Sequence, residues 1–247
     1  MSSSCPSSVS IIIPARNEEG HIERIFQEMP HFCENMELIF VEGNSTDNTW
    51  EELQRSVESH RSEWPKLTLL KQDGRGKADA VWKGITSATG DTIFILDSDL
   101  TVPPSVLPDL YKPFVDGIAT FTYGTRYVYP MEKGAMRFCN DIANRFFALV
   151  WRPLFRQKVT DSLCGTKVFL RKDYEEVQKK YPKIFKADYY GDFALFFIAP
   201  AQRCKIVEVP VHYRARQYGS SNIPRWQGGV RLLKVYLMCV WALLKKR

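Results

Sequence analysis

The chain has 247 residues, 45% hydrophobic and 13% aromatic, which excludes a disordered class and supplies the core of one large α/β domain. Its formal net charge of +6 suits phosphate-bearing ligands or an anionic membrane surface and gives no reason to expect a nucleic acid polymer as partner. The 6 cysteines are scattered without a C-x-x-C pair, so no zinc site or disulfide framework is indicated, and reduced thiols in a cytoplasmic protein are expected.

In chain order, "MSSSCPSS" (residues 1–8) lacks a basic start and an apolar run, so it reads as a flexible N-terminus and not as a secretion signal. From there, short β-branched runs alternate with helical patterns. "VSIII" (9–13) is the first strand, ending in the polar turn "PARNEEG" (14–20) ahead of a helix over 19–29. "ELIFV" (37–41) is the second, followed by "VEGNSTDNT" (41–49) and a helix over 47–60. The third, "LTLL" (67–70), leads through "DGRGKA" (73–78) into a helix over 78–88. The fourth, "TIFIL" (92–96), runs straight into Asp97 and Asp99. This βαβαβαβ order predicts a mostly parallel central sheet with helices on both faces and a Rossmann-like site outside the carboxyl ends of its strands.

The second half is less regular. Helices are expected over 103–115, 134–154 and 192–199, strands over 118–126, 166–170 and 205–211, and a last apolar helix from 229. No repeat or linker interrupts it, so a single domain over 9–227 is expected, closed by a C-terminal helix within 228–247. That helix is largely apolar over 230–244 but carries Arg231 and Lys234, and it is shorter than the ~20 residues of a spanning helix. Tyr236, Trp241, Lys245, Lys246 and Arg247 suit a helix lying in the headgroup plane, and an ordinary buried closing helix fits the pattern equally. On the long helix, Arg137, Arg145 and Arg152 fall within an arc of roughly 80°, either a solvated face or a basic stripe facing a membrane.

Asp97 and Asp99 are the sharpest chemical signal. Two carboxylates on alternate residues past a strand end can bind one hard divalent cation and leave it open to substrate phosphates; the competing reading is a cap for the helix near 103. Three polar turns on one sheet edge favour a nucleotide site. In "DGRGKA", Gly74 and Gly76 permit a tight backbone that brings Lys77 or Arg75 towards such a ligand, although the pattern is no Walker A loop.

The combination of "IIIPARNEEG", "VEGNSTDNTW", "DGRGKADAVWKG" and "GDTIFILDSDLTVPP" resembles a family 2 glycosyltransferase of the GT-A fold, nearest the dolichol-phosphate mannose synthase-like group, over residues 9–226. "GTRY", "TDSLCGTKVF", "GDFALFF" and "VEVPVHYRARQYGSSN" are similar to that group as well. The resemblance implies a metal-dependent, inverting transfer from a UDP- or GDP-sugar, with Mg²⁺ or Mn²⁺ held by Asp97 and Asp99. Donor contacts would come from Pro14, Asn17, Glu18, Glu42, Lys77, Ser98 and Arg216. Arg126 and Arg214 would meet the acceptor, a polyprenyl phosphate or a hydroxyl compound. A hydroxyl needs a general base, for which Asp161 and Asp192 are the candidates, whereas a phosphate is already anionic and needs positioning cations; Asp192 has a second reading as a helix cap.

Two departures matter. Gly43 stands where the group commonly has a second acidic residue, leaving the nucleotide base open, and "NIPRW" (222–226) lacks the Gln of Q-x-x-R-W, which argues against a processive polymerase. A sugar nucleotidyltransferase would show an Arg-containing Gly-rich loop after the first strand, and a non-catalytic nucleotide-sugar-binding module would not need intact Asp97, Asp99 and Arg216. The expected location is cytoplasmic, either free or peripheral at the cytoplasmic membrane face.

Overall fold

The computed structural model describes residues 8–136, 138–216 and 225–245. Its strands are β1 (Ser8–Ala15), β2 (Asn35–Glu42), β3 (Leu67–Lys71), β4 (Thr92–Ile95), β5 (Phe121–Thr125), β6 (Lys167–Leu170) and β7 (Ile206–Pro210). They form one sheet in the order β3-β2-β1-β4-β6-β5-β7. Every pairing is parallel except those of β6, which runs antiparallel to both β4 and β5. The parallel sheet expected from the sequence is therefore present, with one reversed strand inside it.

The two-residue period of the strands divides their apolar side chains between two cores. Val9, Ile11, Ile13, Leu38, Phe40 and Phe94 face one side, and Ile12, Ile39, Val41, Ile93 and Ile95 the other. The first core is covered by α1 (Ile22–Glu28), α2 (Thr49–His60) and α4 (Leu107–Val115), the last entered through a 3-10 turn at Pro104–Val106. The second is covered by α3 (Lys77–Ser87), α5 (Phe138–Phe155), α6 (Arg171–Lys180), α7 (Pro182–Ala187), α8 (Asp192–Gln202) and α9 (Arg225–Leu244). Helices α6 and α7 are additions to the sequence reading. In α6 only Tyr174 and Val177 are buried, too few to raise an apolar stripe above a strongly polar background.

Helix α9 begins at Arg225, four residues before the expected start, and so crosses the boundary drawn at 227/228. Val235, Cys239 and Ala242 are buried in the second core, while Val230, Leu233, Leu237, Trp241 and Leu244 are exposed. It is a closing helix with an apolar outer stripe. Tyr236 ties it to α5, its hydroxyl donating to the Val150 carbonyl at 2.9 Å and its ring packing edge-on against Trp151. Of the α5 arginines read from the sequence as a solvated face or a basic stripe, Arg145 pairs with Asp141 and Arg152 donates to the Val159 carbonyl, and the exposed face of α5 also carries Phe138, Ile142, Phe146 and Leu149. Among the described residues, no helix is long and apolar enough to cross a membrane. The N-terminal segment 1–7, Arg137, residues 217–224 with most of "NIPRW", and Lys246 and Arg247 lie outside the described residues.

Candidate active site

The β1–β4 register places the site. Ile12 pairs with Ile95, the Leu96 N–H donates to the Ile12 carbonyl, and the chain then leaves β4 beside the end of β1. Ser98 anchors there, its hydroxyl donating to the Pro14 carbonyl at 2.9 Å. The turns after β1 and β2 are stitched together. Asn17, in the left-handed region at φ 54°, donates its N–H to the Ser45 hydroxyl and accepts the Thr46 N–H at 2.8 Å; the Glu18 N–H donates to the Thr49 hydroxyl. Glu42 accepts the Ser45 N–H at 2.5 Å. Asn17 and Glu42 thus shape the turns with side-chain atoms that the sequence reading assigned to the donor. Gly43 has a steric cause: a Cβ there would lie 2.9 Å from the Arg16 Cβ.

Asp97 and Asp99 come together at the edge of β4 with complementary oxygens committed. Asp97 Oδ1 lies 2.6 Å from Lys77 Nζ, at the first residue of α3. Asp97 Oδ2 lies where a Cβ on Gly165 would approach to 2.0 Å, so only glycine leaves room for the carboxylate. Asp99 Oδ1 accepts the Thr101 N–H and hydroxyl, at 3.1 and 2.8 Å, and Oδ2 is 3.8 Å from Arg216. Neither caps the following turn, whose cap position is Pro103 without a side-chain bond. Among the described residues no three His, Cys, Asp or Glu side chains form a metal cage. Two carboxylates with room at one oxygen each fit a cation that completes its shell with water and phosphate oxygens, as Mg²⁺ and Mn²⁺ do.

Arg216 also pairs with Glu18, which is buried. Burial raises the Glu18 pKa, Arg216 opposes this, and Asp99 adds to it, so that the carboxyl is pushed up to about 8. Its Oε2 is 3.0 Å from Nδ1 of buried His21, whose own pKa is lowered by burial and by Arg216. A carboxyl raised from 4.5 to about 8 stabilises the fold fully below 4.5 and loses that contribution as pH rises towards 8. The melting temperature of metal-free protein should therefore fall between pH 5 and 8 through this group, and the Glu18→Gln variant should show a shallower slope over that window.

Asp192 is not the cap of α8. Asp188 accepts the N–H groups of Phe193 and Ala194 at 2.9 and 2.8 Å, and Asp192 instead faces Lys167 Nζ at 2.9 Å and Lys77 Nζ at 4.0 Å. Burial raises its pKa, but Lys167 and Lys77 outweigh this and hold it below the ordinary value.

Asp161 and Arg126 form a buried fork. Arg126 Nε and Nη2 donate to Asp161 Oδ2 and Oδ1 at 2.6 and 2.8 Å, and the Arg126 N–H adds a third bond at 3.1 Å. Asn144 Nδ2 and the Leu163 N–H donate to Oδ1 as well, at 2.7 and 3.2 Å. Asp161 has no exposed surface, and although burial raises its pKa, Arg126 holds it below the ordinary value. The Asp161 oxygens read as a candidate base are thus engaged by donors, and the fork of Arg126, read as an acceptor contact and packed 5.0 Å over the Tyr213 ring, is engaged by Asp161. Arg214 faces Glu28 at 2.7 Å, whereas Arg216 meets Glu18 and Asp99. Only Arg216 of the three is brought to Asp99.

Asn144, Lys167, Asp188 and Glu208 were not singled out from the sequence. Glu208 accepts the Thr160 N–H and hydroxyl and the Tyr123 hydroxyl, supporting the loop that carries Asp161. Lys167 alone had a local signal, as the basic residue of "TDSLCGTKVF".

The sequence model of a family described as "Glycosyl transferase family 2" matches residues 10–197. The chain is 27% identical over 238 residues to a dolichol-phosphate mannosyltransferase of Pyrococcus furiosus, covering 94% of this chain and 64% of that protein. It is 35% identical over 123 residues to the dolichol-phosphate mannosyltransferase of Saccharomyces cerevisiae, covering 48% of this chain and 44% of that protein. The chain thus spans less than two thirds of the length of either relative. A glucosyl-3-phosphoglycerate synthase from Mycobacterium tuberculosis, solved in complex with Mn²⁺, uridine-diphosphate and phosphoglyceric acid, superposes with a TM-score of 0.65 at 19% identity over 96% of this chain and 78% of that one, which shows a shared fold.

Proposed function

Because the chain belongs to glycosyl transferase family 2, we propose that it moves a sugar, with inversion, from a UDP- or GDP-sugar to a polyprenyl phosphate, using Mg²⁺ or Mn²⁺ held by Asp97 and Asp99. The observation that carries this is the convergence of Asp97, Asp99, Lys77 and Arg216 at the carboxyl edge of β4. The two relatives named for dolichol phosphate support a lipid phosphate as acceptor, and the solved neighbour with Mn²⁺ and uridine-diphosphate supports the donor class and the metal.

The chemistry follows from what each side chain can do. Transfer leaves a nucleoside diphosphate, and a bound divalent cation would offset the charge that develops on it. Arg216 can grip the same phosphates through its planar fork, and Lys77 can add a point charge. A phosphate acceptor attacks as an anion and needs no base, consistent with Asp161 and Asp192 both being engaged by cations. Gly165→Ala would push Asp97 out of place, since its Cβ would sit 2.0 Å from Oδ2. We expect that variant to fold and to lose turnover by on the order of 10², with Mn²⁺-dependent donor binding weakened in parallel.

A lipid acceptor requires the site to approach a membrane surface. The exposed apolar stripes of α9 and of α5 support this, with Trp241 at 61% and Phe138 at 77% exposure and Lys245 Nζ 3.9 Å over the Trp241 ring. Cutting α9 away would uncover Val235 and Cys239, so exposed positions are the proper probe. The Leu237→Glu, Trp241→Glu double variant should keep nucleotide-sugar binding and lose salt-sensitive co-sedimentation with anionic liposomes.

The deciding experiment offers UDP- and GDP-sugars with Mn²⁺ to the protein together with a polyprenyl phosphate or 3-phosphoglycerate, and identifies the glycosylated product. Glycosylated polyprenyl phosphate is the expected product. Glycosylation of phosphoglycerate alone, with wild-type protein ignoring anionic liposomes at low salt, would replace the lipid with a soluble acceptor.

A further inference from the structure

We propose that Lys77 is a placeholder cation: in the metal-free protein its ammonium occupies Asp97, the divalent cation displaces it, and Asp192 is the seat to which it withdraws. The proposal rests on the metal reading of Asp97 and Asp99. It deepens that reading by assigning coupled roles to Lys77, Asp192 and Lys167.

Four alternating charges lead away from the metal position. Lys77 Nζ is 2.6 Å from Asp97 Oδ1 and 4.0 Å from Asp192 Oδ1, and Lys167 Nζ is 2.9 Å from that same Asp192 oxygen. The two lysines are not equivalent. Lys167 is fully buried on β6 and also donates to the Cys164 carbonyl at 2.6 Å, so it is locked and fixes Asp192. Lys77 stands at the start of α3 with 27% of its side chain exposed, on a four-carbon stem that can reorient.

The arrangement answers an electrostatic problem. Without a resident cation, Asp97 and Asp99 would be two partly buried carboxylates at one sheet edge, a costly state. Lys77 removes that cost in the empty protein and becomes a competitor when the divalent cation arrives. Asp192 lowers the barrier to exchange because the ammonium moves between carboxylates and is never left without a partner. A donor diphosphate offers Lys77 yet another partner, so donor and metal should bind cooperatively, each tightening the other by the same factor.

The test is a Mn²⁺ titration of the whole protein by electron paramagnetic resonance, with and without UDP. Removing the competitor should tighten Mn²⁺ binding without nucleotide by on the order of tenfold in Lys77→Met and in Lys77→Gln, while weakening UDP binding. Asp192→Asn, which leaves Lys77 no alternative seat, should weaken Mn²⁺ binding in the wild-type background and change it by less than about twofold in the Lys77→Met background. A merely structural role of Asp192 would persist in both backgrounds and overturns the proposal. Saturable Mn²⁺ binding that is lost in Asp99→Asn but tightened in neither Lys77 variant overturns it while leaving the metal reading intact. No saturable Mn²⁺ binding by wild-type protein, with or without UDP, removes both.

Discussion

Asp99→Asn should cut turnover by on the order of 10²–10³ and abolish the divalent-dependent part of nucleotide binding, while leaving the melting temperature nearly unchanged. The asymmetry arises from how the carboxylate is used. Its Oδ1 is tied to Thr101, and an amide oxygen can accept those bonds as well; its Oδ2 faces Arg216 across 3.8 Å, where charge matters. An amide keeps the loop and loses the anionic ligand. The measurement is donor binding by calorimetry with Mn²⁺ and with chelator, beside turnover. Equal metal-dependent binding in the variant and the wild type would take Asp99 out of the metal site.

The second large effect is on stability. Asp161→Asn should destabilise the protein by about 3–5 kcal/mol, since it leaves the Arg126 guanidinium buried without its counter-charge. Five hydrogen-bond donors converge on this carboxylate, which has no exposed surface. Asp161→Leu with Arg126→Met removes both charges together, and urea unfolding should find that double variant more stable than Asp161→Asn. A midpoint for Asp161→Asn equal to wild type would show that the fork contributes nothing to the fold. Where Asp161→Asn remains folded, the acidic limb of its pH–rate profile should persist if the acceptor is a phosphate that needs no base; disappearance of that limb would identify Asp161 as the base.

The first half of this fold is legible in the sequence because its strands are buried on both faces and end in polar turns. "TIFIL" running into Asp97 and Asp99 announces both a strand and the edge at which a parallel sheet places its ligand. What escapes the sequence is pairing at a distance. Nothing in "TKVFL" says that β6 runs against its neighbours, and nothing in "DYYGDFALFF" says that Asp188, four residues before Asp192, takes the backbone donors of α8. Arg126 and Arg216 are both arginines beside predicted strands. One faces a carboxylate inside the protein and the other the carboxylate of Asp99, and only the packing tells them apart. Helix α6 shows the same limit from the side of hydropathy, because two buried residues do not make a readable stripe.

The reversed strand has a consequence for how the protein is made. Pairing of Ile95 with Lys167 inserts β6 between β4 and β5, so both central strands lack a neighbour until residues 167–170 have left the ribosome. During synthesis the nascent sheet carries an open edge at β4, the strand that leads into Asp97 and Asp99. The pair between Arg216 and Glu18 spans 198 positions of the chain and closes later still. Binding competence thus waits until Arg216 has been made, and until β6 has emerged the growing polypeptide exposes a β-edge to other chains at the place where its ligand site will form.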